Sequence, residues 1–338
     1  MIFVTGGSGL IGSFLISALV ARGQAVRALY RRQVPTFPAA SQVEWVEGDI
    51  LDALVIRQAL EGVEHVFHCA GLVSYAPQDE AALQQINVEG TANIVDACLD
   101  RKGIRLCHVS SVAALGGNAA AEQEPGKMQV LTEEAKWDLG AAHPAYATSK
   151  YLGELEVWRG VAEGLSAVIV NPSVVLGAAD WDRSSTRLFR YAHNEHAFYT
   201  PGNINFVDVR DVVEAMVHLA FQPAIAGQRF ILNAGAVPLH DFLAQAAACF
   251  GKKAPRIAVP DWAAELIWRT EHARSLLTGA RPLITKDTAR AGRKPVVYQS
   301  QKVQNTTGLR FRPLAETIEW CCQELKTNSA ASGAVVVY

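Results

Sequence analysis

The 338-residue chain has no long hydrophobic run, no excess of either charge and no cysteine spacing suited to a metal. The longest apolar stretch near its start, FLISALV, falls far short of the roughly 20 residues that cross a bilayer, and Arg22 and Gly23 interrupt it. No membrane contact is therefore expected. With 31 basic and 33 acidic residues the net charge is -2, so no general attraction to nucleic acid is expected either. The six cysteines (Cys69, Cys98, Cys107, Cys249, Cys321, Cys322) form no C-x-x-C pair, which predicts buried thiols in a reducing cytoplasm and no bound metal. The first residues, MIFVTGGSGLIG, lack the basic region and cleavage site of a secretory signal, so no segment is expected to be removed and the expected location is cytoplasmic. Half of the residues are hydrophobic and 19% are charged, the balance of a folded chain with ample core. Chemistry on a small molecule is the class of function left standing.

What the chain does have is rhythm. Up to about Asn171, short β-rich runs alternate with helical stretches: MIFVT, Leu10 to Ala21, AVRALY, VEWVEG, Asp52 to Leu60, HVFHCA, Glu80 to Asp100, RLCHVSS, Ala145 to Glu163 and SAVIVN. This alternation predicts parallel strands joined by crossover helices. The strands are continuous apolar runs, as strands covered by helices on both faces must be. The expected fold is α/β, a doubly wound parallel sheet of Rossmann-like type over residues 1–175, with 204–235 returning to it. Beyond it, 176–327 read as a smaller, mixed substrate-binding lobe, and 328–338 as a tail. Ligands of such sheets lie at the carboxyl ends of the strands, where a second lobe would shape a substrate pocket.

The stretch VTGGSGLIG sets Gly6, Gly9 and Gly12 between the first strand and the first helix. In a dinucleotide site three such glycines serve a tight turn, close approach of backbone to pyrophosphate, and close packing of helix on strand. The helix start then offers free N–H groups to phosphate. Ser8, Leu10 and Ile11 complete this candidate cofactor loop. The end of the second strand, ALYRRQ, carries Arg31 and Arg32 and no carboxylate to receive a ribose 2′-hydroxyl. A guanidinium matches a 2′-phosphate, so NADP(H) is favoured through Arg31, with NAD(H) the alternative.

TGGSGLIG, GDILD, VFHCAG, NVEGT, HVSSVAALG, YATSK, NPSVVLG and FVDVRDV occur in that order. Over about residues 1–325 this series resembles the extended short-chain dehydrogenase/reductases, the NAD-dependent epimerase/dehydratase family. VRALYRR, the NPS triplet, LITKDTAR and LRFRPLAETI resemble most its dihydroflavonol-reductase-like and 3β-hydroxysteroid-dehydrogenase-like branch. The resemblance implies that Asp49 and Ile50 hold the adenine, that Ala70 and Gly71 line the cofactor, and that Pro172 and Ser173 stand beside the nicotinamide. It gives Asn87 a structural part only. His68 reads as a core histidine, and Asp52 as the better helix cap than Asp49.

Tyr146 and Lys150 are four residues apart on one predicted helix and so share a face. By resemblance, Tyr146 is the proton donor, Lys150 the cation that tunes it and holds the nicotinamide ribose, and Ser111, in preference to Ser110, the hydrogen-bond donor to the substrate oxygen. A free tyrosine, with a pKa near ~10, protonates an alkoxide readily but needs a neighbouring cation to act as a base. The implied reaction is NADP(H)-dependent reduction of a ketone or aldehyde, or the reverse oxidation. A nucleotide-sugar epimerase with tightly bound NAD and a non-catalytic NADP-sensing or scaffold protein are the alternatives. Relatives of this kind imply a homodimer through the long helices near 80–100 and 145–163, with a monomer as the alternative.

Overall fold

The computed structural model describes residues 1–116, 129–181, 185–278 and 296–333. The first half of the chain runs β1 (Ile2–Thr5), α1 (Leu10–Ala21), β2 (Val26–Tyr30), β3 (Glu44–Glu47), α2 (Ala53–Ala59), β4 (His65–His68), α3 (Glu80–Gln84), α4 (Gly90–Leu99) and β5 (Arg105–Val109). It continues through β6 (Gln129–Leu131), α5 (Ala145–Ala162), β7 (Ser166–Pro172), β8 (Val174–Leu176), α6 (Thr186–His193), β9 (Phe198–Tyr199), β10 (Asn203–Asp208), α7 (Val209–Ala220) and β11 (Gln228–Leu232). Then come β12 (Gly235–Pro238), α8 (Leu239–Cys249), β13 (Ile257–Ala258), α9 (Asp261–Thr278), β14 (Val296–Tyr298) and the helices Gln301–Thr307 and Leu314–Gly333.

Seven strands form one sheet in the order β11-β7-β5-β4-β1-β2-β3, every neighbouring pair parallel. The chain builds outward from β1 through β2 to β3, then crosses back to place β4 on the other side of β1. The order reverses there, which opens a crevice at the carboxyl ends of β1 and β4. Side chains of a strand alternate between faces, and β1 shows why both faces had to be apolar. Ile2 and Val4 pack with Leu15, Ile16 and Leu19 of α1 and with Val212, Met216 and Leu219 of α7. Phe3 faces the other way, into a cluster holding Ile56, Ile94, Val95 and Val157 of α2, α4 and α5.

The C-terminal region adds a three-stranded sheet, β12-β10-β8, and two short pairs, β13-β9 and β14-β6. Phe189, Phe242, Leu243, Ile318 and Leu325 form a third core there, against which Trp181, Tyr191 and Tyr199 pack. Within 204–235, only β11 joins the large sheet; β10 pairs with β8 and β12.

Two elements differ from expectation. The helix foreseen over Glu80 to Asp100 is broken by a π-turn at Gln85–Glu89, which turns Asn87 inward. The last helix runs to Gly333 and so takes in the first part of the stretch expected to be a tail, whose Ala330 and Ala331 are strong helix formers. LITKDTAR and the end of that tail, AVVVY, lie outside the described residues. Among the described residues, no helix is long and apolar enough to cross a membrane, no group of three or more His, Cys, Asp or Glu side chains could hold a metal, and the six cysteines are free.

Candidate active site

The glycine turn sits where the sheet order reverses. Gly6 has φ +70°, and a Cβ there would come within 2.6 Å of the Ala70 backbone nitrogen. A Cβ on Gly12 would lie 2.2 Å from the Gly6 carbonyl oxygen. The Gly9 N–H donates to that same oxygen at 2.9 Å, which closes the turn, and Ser8 and Gly9 are exposed at its tip. Gly9 is the N-cap of α1; no side chain caps the helix and no acid stands in its first turn. Its leading N–H groups are thus left for an anion. The side chains of Leu10 and Ile11 turn away from the tip, Leu10 toward Gly177 and Ile11 into the core.

At the ends of β2 and β3, Arg31 Nη1 lies 3.6 Å from Asp49 Oδ2, both side chains substantially exposed. Asp49 Oδ1 also accepts the Leu51 N–H at 3.1 Å. Asp52 caps α2, accepting from the Leu54 and Val55 N–H groups as its sequence position suggests. Ile50 is buried against Gly90. Ala70 donates its N–H to Thr5 Oγ1. A Cβ on Gly71 would come within 3.2 Å of Lys150 Nζ and 3.3 Å of Asn87 Oδ1, so glycine lets the ammonium approach the crevice.

Tyr146 and Lys150 are both buried on α5. Burial pushes the Tyr146 phenol well above its usual range; a hydrogen bond with the Ser111 side chain works the other way, as a donor to the phenolate would, and Tyr75 raises it further. The Tyr75 ring stands edge-on to that of Tyr146 at 5.5 Å. Tyr75 also acts on Tyr298 of β14, whose phenol is pushed up to about 12, mainly by burial. Lys150 Nζ donates to the Val109 carbonyl at 3.0 Å. Burial lowers its pKa to about 8, against the opposing influence of Cys69 and Glu154.

The two adjacent serines have different environments. Ser111 caps a short 3-10 turn, its Oγ accepting the Ala113 N–H at 3.1 Å, and it faces Tyr146. Ser110 donates to Glu154 Oε2 at 2.8 Å, on the buried side. His68 has both ring nitrogens engaged, by Thr5 and Thr91, and burial lowers its pKa to about 3, so it is a core residue. Asn87 clamps the loop after β4, accepting from the Leu72 N–H and donating to the Leu72 carbonyl and to Ser149. The π-turn provides this reach: Gly153 of α5 packs so closely on it that a Cβ would lie 2.2 Å from the Asn87 carbonyl oxygen. Pro172 ends β7, and the hydroxyl of Ser173 is buried without a hydrogen-bond partner.

A nicotinamide dinucleotide fits this crevice. The glycine turn has no room for side chains at Gly6 and Gly12 and leaves helix N–H groups for phosphate, and the Ser173 hydroxyl is buried without a hydrogen-bond partner. Sequence reasoning missed Glu154 and the two residues that donate to it beneath the site, Asn171 and Arg229. The recurrence of polar residues at 146, 150 and 154 could have pointed to Glu154. No local pattern marks Arg229.

A profile of the NAD dependent epimerase/dehydratase family matches residues 2–235. The chain is 32% identical over 333 residues to a Synechocystis protein named as a dihydroflavonol 4-reductase, covering 94% of this chain and 93% of that one. It is 33% identical over 263 residues to sterol demethylase protein B of Methylococcus capsulatus, covering 76% of each. The crystal structure of gox2253 superposes with a TM-score of 0.79 at 26% identity, covering 97% of this chain and 98% of the other.

Proposed function

Since the chain belongs to the NAD dependent epimerase/dehydratase family, as an oxidoreductase of the extended short-chain dehydrogenase/reductase type, we propose that it reduces a ketone or aldehyde to an alcohol with NADP(H), or runs the reverse oxidation. The observation that carries the proposal is the meeting of Ser111, Tyr146 and Lys150 beside a glycine-lined crevice. The reductase name of the Synechocystis relative supports it.

In this reading the bound nicotinamide supplies or takes the hydride. The protein's own part is to place and protonate the carbonyl oxygen. Ser111, which accepts from the Ala113 N–H and shares a hydrogen bond with Tyr146, turns its O–H from the phenol to the substrate oxygen when that oxygen sits between the two hydroxyls. Tyr146, kept protonated by burial, gives its proton as charge develops on that oxygen. Lys150 presents a cation one helical turn away and, beside Gly71, can reach a ribose. Gly6, Ser8, Gly9, Leu10, Ile11 and Gly12 hold the pyrophosphate, Asp49, Ile50 and Arg31 the adenosine end, Ala70 and Gly71 the middle, and Pro172 and Ser173 the nicotinamide. The test is to follow NADPH consumption over a panel of aldehydes, ketones, flavanonols and ketosteroids. No turnover of any of them by the wild-type protein would end the proposal.

Because Lys150 loses its proton near pH 8, kcat/KM for reduction is expected to be highest below that value and to fall as pH rises through it. A profile flat up to pH 10 would show that the ammonium is not needed. Arg31→Ala is expected to raise the KM for NADPH on the order of tenfold, the effect of losing one charge-assisted hydrogen-bond set, and to leave that for NADH nearly unchanged. An unaltered preference in the variant would take Arg31 out of cofactor selection.

A further inference from the structure

Glu154 continues the row begun by Tyr146 and Lys150, and it is 2% exposed. A carboxylate so far from water needs partners, and it has four. Ser110 Oγ and Asn171 Nδ2 each donate to Oε2 at 2.8 Å, Arg229 Nη1 donates to Oε1 at 3.1 Å, and Trp158 Nε1 to Oε1 at 3.3 Å. Asn171 also donates to the Ser111 carbonyl. One acid thus ties the carboxyl ends of β5 and β7 to α5.

Arg229 extends the tie. It stands on β11, the edge strand of the large sheet, and each of its three guanidinium nitrogens is engaged. Besides Glu154, it donates through Nε and Nη2 to the Glu133 carbonyl at 2.8 and 2.6 Å, and through Nη2 to that of Ala135 at 2.8 Å. The Glu133 carboxylate accepts the Ile231 N–H, so the segment is fastened to the strand edge twice. Two residues beyond Ala135, the Trp137 ring stacks on Tyr151 of α5 at 4.3 Å and on His143 at 3.8 Å. It also lies against Gly116, at the end of the turn that Ser111 caps.

We propose that Arg229 is a positioning residue of the active site. By pairing with Glu154 and holding two carbonyls of the 133–137 segment, it keeps that segment, the Ser110–Ser111 strand end and the Tyr146–Lys150 face of α5 in one fixed arrangement. A lysine could satisfy the charge of Glu154 but not the planar fork that reaches Glu133 and Ala135 as well. The kinetic part of the test rests on the function proposed above; the structural part does not.

The test compares the wild-type protein with Arg229→Lys and Arg229→Met by kcat and KM, NADPH affinity, thermal melting and amide hydrogen exchange over residues 110–116 and 129–137. Arg229→Lys is expected to melt close to the wild type and to bind NADPH as tightly. It should lose on the order of tenfold to 100-fold in kcat, as small misplacements of reacting groups do. Exchange should quicken in both segments. Arg229→Met should show the same pattern with lower stability, and if it does not fold the lysine variant decides alone. Unchanged exchange at 110–116 in Arg229→Lys overturns the proposal, and so does unchanged kcat. If the wild type turns over no carbonyl compound, the functional reading fails, and the exchange arm decides whether Arg229 holds the site.

Discussion

Tyr146→Phe is expected to lower turnover by roughly 10²- to 10⁴-fold, the usual worth of a positioned proton donor, while NADPH binds nearly as before. The substitution keeps the ring, which is buried edge-on to Tyr75, and removes only the O–H. Volume-conserving changes of this kind leave packing intact, so the loss should appear in kcat with little change in melting temperature. The hydroxyl it removes is the partner of Ser111, and burial keeps that phenol protonated over the whole neutral range. Of its neighbours, Lys150 is turned to the Val109 carbonyl, and the Tyr75 ring stands edge-on to that of Tyr146 at 5.5 Å. Steady-state rates paired with NADPH titration check this result. Turnover within a few-fold of the wild type would remove Tyr146 from the proton-transfer step.

Gly12→Ala is expected to abolish measurable cofactor binding. The added methyl would sit 2.2 Å from the Gly6 carbonyl oxygen and 2.8 Å from its carbon. Backbone atoms cannot swing aside as a flexible side chain does. Gly6 is itself held at φ +70° against the Ala70 nitrogen and the Cys69 carbonyl carbon, so it cannot retreat. Helix α1 must instead move away from the turn, which disperses the N–H groups offered to the pyrophosphate. Forcing a methyl into a packed contact costs about 1–3 kcal/mol. Gly23→Ala is the control: its φ is +71°, yet a Cβ there meets nothing within 4 Å. That change should cost about 1 kcal/mol of backbone strain and leave NADPH affinity unchanged. Fluorescence titration and thermal melts on both variants separate the outcomes, and wild-type affinity in Gly12→Ala would show that the turn does not carry the phosphates.

Much of the fold was legible because it rests on local physics. Continuous apolar runs broken by helical stretches could only be buried as parallel strands covered on both faces, and the glycine spacing marked a turn that side chains would block. Helix α1 spans Leu10–Ala21, the range its pattern predicts, and Tyr146 and Lys150 share a helix face because 3.6 residues make a turn. His68 is a core residue and Asp52 a cap, each for a reason visible in its neighbours.

What the sequence could not decide concerns residues that meet across long separations. Ser110 and Ser111 are chemically alike, and their partners come from α5: just beyond β5 the chain turns Ser110 to Glu154 and Ser111 to Tyr146. The π-turn that holds Asn87 has its carbonyl packed on Gly153, where a Cβ would not fit, from a helix more than sixty residues on. Arg229 meets Glu154 from 75 positions away because β11 lies beside β7 in parallel register. By itself the sequence determined the elements, the turn and the helical row, since these depend on neighbours within a few residues. Strand order and register determined which arginine neutralises the buried acid, because only the assembled sheet brings Arg229 within bonding distance of Glu154.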